Sequence, residues 1–201
     1  MYRRICRGAA LAAVALLTAL PAAAEAKGVT ATDRAFVREM VPHHKMAVEM
    51  AEMARMQATH ARIKTLAKSI IEDQNAEIRH MTAIRKRLKV KPLPSGGSEH
   101  EAMMRDAHTL GISVDEMGMD MNMDELDGAK PFDRKLIDMM ITHHQGAIRM
   151  ARVELAKGTS TQLRAIARAI VAAQKREIVE LNSWRKVWYG ATSPSGGVPP
   201  S

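Results

Sequence analysis

Residues 33–51 and 133–151 are two versions of one segment. Asp33-Arg34-Ala35-Phe36-Val37-Arg38-Glu39-Met40-Val41-Pro42-His43-His44 aligns with Asp133-Arg134-Lys135-Leu136-Ile137-Asp138-Met139-Met140-Ile141-Thr142-His143-His144 at an offset of 100. The offset continues without a gap through Thr59/Thr159, Ala67/Ala167, Ile70/Ile170, Gln74/Gln174, Glu77/Glu177 and Ile78/Ile178. A repeat of this length is one helical hairpin used twice. In each half two helices are predicted. Thr30 or Thr32 can cap the first, and Thr59 restarts the chain for a second that runs to about Leu88. Pro131 precedes the third; Gly158 suits its stop, and Thr159 or Ser160 can cap a fourth running to about Trp188. The hairpins thus span about 32–88 and 132–188, joined by a linker over 89–131 that opens with Pro92, Pro94, Ser95, Gly96 and Gly97. The Ser/Pro/Gly-rich tail, 190–201, is expected to be disordered. Two amphipathic hairpins bury each other best as an all-α, antiparallel four-helix bundle over 27–189. Only 3% of the chain is aromatic, which disfavours a β-sandwich or an RNA-stacking surface.

The first 26 residues have the pattern of an export signal. Arg3, Arg4 and Arg7 precede the apolar stretch Gly8–Leu20, and small residues around Ala24 and Ala26 offer cleavage sites. The chain is therefore expected to be periplasmic or secreted, with no transmembrane span after cleavage. Removing the three arginines lowers the net charge from +8 to +5, or to +6 where Glu25 is removed as well. Cys6, the one cysteine, lies inside the signal. The mature chain thus has no disulfide and no thiolate, and any metal must be held by His, Met or carboxylate. The densest basic run, Arg85-Lys86-Arg87-Leu88-Lys89-Val90-Lys91, ends a helix and complements its dipole. It is a solvated helix end rather than a nucleic-acid patch.

At 100° per residue, Phe36, Met40, His43, His44, Ala47, Ala51 and Ala54 form one stripe. Leu136, Met140, His143, His144, Ala147 and Ala151 repeat it, so four histidines point toward the bundle interior. Pro42, inside the first helix, should kink or loosen it beside the His pair. The second and fourth helices place Gln74, Glu77, Gln174 and Glu177 on otherwise apolar faces. A buried carboxylate needs a partner, and the inward imidazoles are the available ones. A Glu that accepts from one ring nitrogen leaves the other free to bind metal. The competing reading is a polar core that only fixes register. Two His pairs, each with Met three residues before the first His, favour ligands.

These motifs resemble the domain of unknown function family 305. Its hallmark is a Met-x-x-His-His-x-x-Ala-x-x-Met-Ala helix followed by a Gln-x-x-Glu-Ile helix. Both occur twice here, at Met40–Ala51 with Gln74–Ile78 and at Met140–Ala151 with Gln174–Ile178. The resemblance covers about residues 33–188. It implies a ferritin-like four-helix bundle, exported in bacteria, with some members tied to copper or silver binding and tolerance. Thr142 stands in place of the usual Pro, Lys45 in place of a common Gln, and Met46 where the second repeat has Gly146.

The remaining Met groupings differ in character. Met46, Met50 and Met53 form a helical stripe, read as core packing. Met117-Gly118-Met119-Asp120-Met121-Asn122-Met123 is not a helical pattern; extended, it puts four thioethers on one side. Thioethers favour soft ions such as Cu(I), and Ag(I) is soft for the same reason. A hydrophobic lid is the alternative. His100, Met103, Met104 and His108 would share one helical face and could form a mixed His/Met site, or an amphipathic helix packed on the bundle.

The function expected is binding of copper or silver ions for sequestration or transport, without catalysis. Such binding should fade as pH falls through about 6.5, where imidazole protonates. The alternatives are a ferritin-like di-iron oxidoreductase and a metal-free helical interaction module. Glu77-x-x-His80 supplies one di-iron motif, but Glu180 replaces the second His. No inward Glu is expected on the central stripes of the first and third helices.

Overall fold

The computed structural model describes residues 28–200, and among them there is no strand. The export signal and Cys6 lie outside the described residues. Six α-helices follow in order: α1 (Ala31–Gln57), α2 (Ala61–Arg87), α3 (Ser98–Leu110), α4 (Met123–Asp127), α5 (Phe132–Lys157) and α6 (Thr161–Tyr189). A single 3-10 turn, Asp115–Met117, precedes α4. The hairpins α1–α2 and α5–α6 pack through α1 and α5 to form the bundle. No described helix is long and apolar enough to cross a membrane.

The helix starts carry the chain's local logic. Thr30 caps α1 in a reciprocal box with Asp33, its side chain accepting from the Asp33 N–H. Asp33 then reaches across the bundle to accept from the backbone N–H groups of Thr159 (3.1 Å) and Ser160 (2.8 Å). Asp133 does the same for Thr59 (2.9 Å) and His60 (2.8 Å). Each hairpin thereby holds the turn of the other, and the start of α1 lies at the end of α5, so these two helices are antiparallel. α1 runs on through Pro42 as one helix, because α5 and the His layer pack the turn that the proline weakens. Gly158 ends α5 with φ −71°, not in the left-handed conformation usual for such a stop. It is glycine for space: a Cβ there would overlap the Glu154 carboxyl group.

The apolar core falls into two clusters. One gathers Phe36, Met40, Met81, Ile84, Met150, Leu163 and Ile166; the other gathers Met50, Ile63, Ile70, Leu136, Met140, Ile178 and Leu181. Along α1 the His pair separates the residues of one cluster from those of the other, and along α5 it does so for all but Ile148. An apolar void of only about 10 Å³, lined by Ala51, Ala54, Ala67, Leu136 and Met140 among others, lies in the second.

The tail departs from expectation. Residues 190–200 are not disordered but fold back along α5 and α6. Gln145 Nε2 donates to the carbonyls of Ser195 (2.8 Å) and Gly197 (2.7 Å), Asn182 Nδ2 donates to Gly196 (2.8 Å), and Arg152 donates to Pro199 and Pro200. Composition reports that such a segment forms no core of its own; it does not report carbonyl-seeking side chains on a surface it can lie against.

Candidate metal centre

All four motif histidines are fully buried. His43 and His143 meet face to face at the crossing of α1 and α5, ring centroids 3.7 Å apart and 33° from parallel. His44 and His144 flank them, with centroids 6.3 and 6.1 Å from their neighbours. The helical stripe brings them here: positions 43 and 44 straddle the line along which α1 meets its partners, as 143 and 144 do on α5.

The carboxylates complete the layer. His44 Nε2 lies 2.8 Å from Glu77 Oε2. His144 Nε2 lies 2.5 Å from Glu177 Oε2, but out of line for a hydrogen bond. His43 Nε2 donates to the Met117 carbonyl at 3.0 Å. With those nitrogens protonated, the Nδ1 atoms are bare lone pairs. None of the four Nδ1 atoms has a hydrogen-bond partner, and His143 has none at Nε2 either. The amide oxygens of Gln74 and Gln174 are buried and unpaired in the same way. Burial holds His43 and His143 well below the usual imidazole pKa, and the charge that the neighbouring imidazoles would carry lowers them further. Nearby backbone carbonyls oppose this only weakly. These two rings therefore stay neutral below the pH of about 6.5 expected from sequence.

Leaving a buried polar atom unsatisfied costs about 1–3 kcal/mol, and this layer leaves several. Their chemistry, uncharged imidazole lone pairs beside thioethers, fits a soft or borderline ion. Among the described residues no three His, Cys, Asp or Glu side chains converge as a cage. The residues thus offer sites of few nitrogen donors, to be completed by sulfur. Met40 and Met140, one turn before each His pair, are buried to within 2%.

The Met-rich segment is not one extended face. Met117 closes the 3-10 turn and is fully buried in the first cluster, with Met119 packed beside it. Met121 and Met123 pack instead on the second cluster. The left-handed Gly118 (φ 69°) and the short helix α4 break the alternation and send its two halves apart. His100, Met103, Met104 and His108 do lie on one helix, α3. Met103 packs on the core, while His100, Met104 and His108 form an exposed stripe at i, i+4, i+8. The structure does not bring that stripe to the His layer.

The central stripes of α1 and α5 carry no Glu, as expected, but two glutamates off those stripes are buried all the same. Glu39 and Glu154 are both 0% exposed, and no group donates to either carboxylate. Burial, with Asp106 adding its bond and its charge, pushes Glu39 up to about 9. Burial and Asp33 do the same for Glu154, also to about 9. Each is satisfied only as the acid, donating to its aspartate. Burial alone would raise Asp33, but its bonds from Thr30, Ser160 and Glu154 outweigh that and lower it to about 2. Asp106 is held by the Arg38 guanidinium at 2.6 and 2.8 Å, which fixes α3 to α1. Helical phase placed Glu39 off the central stripe; it is α3, a linker helix, that covers it.

The family model described as "Domain of unknown function (DUF305)" matches residues 33–185. Among solved structures, CopM in its Cu(I)-bound form is 32% identical, with a TM-score of 0.65 over 79% of this chain and 98% of that chain. CopM in its Cu(II)-bound form is 33% identical, with a TM-score of 0.64 over 78% of this chain and 97% of that chain; an Ag-bound form is also similar. A DUF305 fragment from Deinococcus radiodurans is 25% identical, with a TM-score of 0.65 over 80% of this chain and 99% of that chain. No curated protein matches the sequence.

Proposed function

The chain belongs to the DUF305 family, and on that premise we propose that it is an exported protein that binds copper or silver ions, buffering or carrying them without catalysis. One observation carries the reading: four fully buried imidazoles, none of which has a hydrogen-bond partner at Nδ1. A polar core kept only for register would satisfy those atoms within the protein. The likeness to CopM, a protein solved with Cu(I), Cu(II) and Ag, supports the same ions. Soft monovalent ions accept low coordination by nitrogen and sulfur, which suits a layer with no three-donor cage. Glu77 and Glu177 then act behind the rings, fixing which nitrogen carries the proton.

The di-iron reading asks for bridging carboxylates, and those at or near the layer are occupied otherwise. Glu77 and Glu177 sit on His44 and His144; Glu39 and Glu154 share protons with Asp106 and Asp33. The deciding experiment is competition titration of the mature protein with a Cu(I) chelator, with metal content measured after export. Bound copper or silver, lost when His43, His44, His143 and His144 are all replaced by Gln, is the expected result. Iron in place of copper, or no metal at all, overturns the reading.

A further inference from the structure

The contacts of one hairpin recur in the other 100 positions on: Asp33 with Asp133, His44–Glu77 with His144–Glu177, and His43 against His143 at the centre. The two sides of that centre nevertheless differ. On one side, position 146 is glycine and a Cβ there would overlap the Met117 carbonyl. That carbonyl accepts the hydrogen bond from His43 Nε2. Beside it, one turn before His43, stands Glu39, sealed by α3 through Asp106. His43 is thus closed off by the linker.

On the other side every one of these features is replaced. Position 46, equivalent to Gly146, is Met46; position 139, equivalent to Glu39, is Met139. α1 and α5 are antiparallel and cross at His43 and His143, so residues after 43 on α1 lie opposite residues before 143 on α5. Met46 therefore falls across from the turn that carries Met139. Met139 is the i−4 neighbour of His143, on the side toward which helical side chains lean. Met46 and Met139 are half-buried and pack on the same cluster, as do Met121 and Met123 from the linker. The ring they flank, His143, has no hydrogen-bond partner at Nε2, and unlike His144 it has no carboxylate beside that atom. Where the turn beside His43 offers the Met117 carbonyl, the turns flanking His143 carry Met46 and Met139.

We propose that His143, Met46 and Met139 form a soft-metal site for Cu(I) or Ag(I), on one side only of the His layer and covered by Met121. This rests on the copper- and silver-binding reading and assigns within it the donors of one ion. The stripe of Met46 on α1 is then a ligand as well as core packing. It also gives the Met-rich linker a division of labour: Met117 shuts one side of the layer by its backbone, and Met121 packs on the cluster at the other.

The test is Ag(I) titration of the mature protein carrying ¹³C-methyl methionine, read by NMR, with Cu(I) chelator competition on the same samples. The first equivalent of Ag(I) is expected to move the methyl signals of Met46 and Met139 and leave that of the exposed Met56 in place. Replacing both by Leu (Met46→Leu with Met139→Leu) should weaken Cu(I) binding at least about tenfold while helicity is kept. If Ag(I) binds but the first equivalent moves other methionines, or the double variant binds Cu(I) as wild type does, the site is refuted and the general metal reading stands. If wild type binds neither ion, both fall together.

Discussion

Glu154→Gln should make the protein more stable, by an amount that grows with pH. Glu154 is fully buried beside Asp33, with its pKa raised from 4.5 to about 9. The folded state holds a proton there that the unfolded state releases above 4.5. The contribution of this group to stability is therefore complete below 4.5 and is lost steadily as pH rises toward 9. Glutamine keeps the shape and can still donate to Asp33, but it has no proton to take up on folding. Between pH 6 and 8 the wild type should lose about 1.4 kcal/mol per pH unit relative to Glu154→Gln. The gap between the two proteins should thus widen by about 2.7 kcal/mol across that range. Asp33 does not disturb this window, because its lowered pKa of about 2 places its own loss of stability in strong acid. Urea unfolding of both proteins, followed by circular dichroism at pH 6, 7 and 8, measures the gap directly. A gap that stays constant would mean that Glu154 is ionised in the folded protein, and the shared proton with Asp33 would be wrong.

Three further outcomes follow from the same geometry. Glu77→Gln removes the charge that holds the His44 Nε2 proton, 2.8 Å away, and should weaken metal binding about 10–100-fold with the bundle intact; a double-mutant cycle with His44 that proves additive would refute the coupling. Gly146→Ala forces the Met117 carbonyl off α5 and should cost about 1–3 kcal/mol in urea unfolding, with the His43 ring signals displaced in NMR. His43 and His143 have pKa values well below 6.5, so the unfolded chain takes up protons that the folded one refuses. Their contribution is present above about 6.5 and lost as pH falls; wild type should lose stability relative to His143→Gln between pH 6.5 and 5, and an unchanged difference would contradict neutral rings.

The bundle and the make-up of its middle follow from residue order alone. A period of 3.6 residues fixes which face of a helix is buried, so the inward phase of His43, His44, His143 and His144 was legible, as was the need of Glu77 and Glu177 for partners on a shared apolar face. The offset of 100 made the reading independent of any single segment. Periodicity does not state what covers a face, and there the tertiary structure decided. Glu39 and Glu154 are buried by a linker helix and by a helix end, contacts far apart in sequence that no local pattern encodes. Met117 and Met121 are four residues apart, yet they serve different clusters, because the left-handed Gly118 turns the chain between them. The tail folds back because Gln145, Arg152 and Asn182 meet carbonyls that its composition leaves free. The repeat departs from symmetry at its centre, where Glu39 and Gly146 face the linker and Met139 and Met46 replace them on the other side. The linker passes over that centre once, and its Met117 carbonyl closes His43 alone.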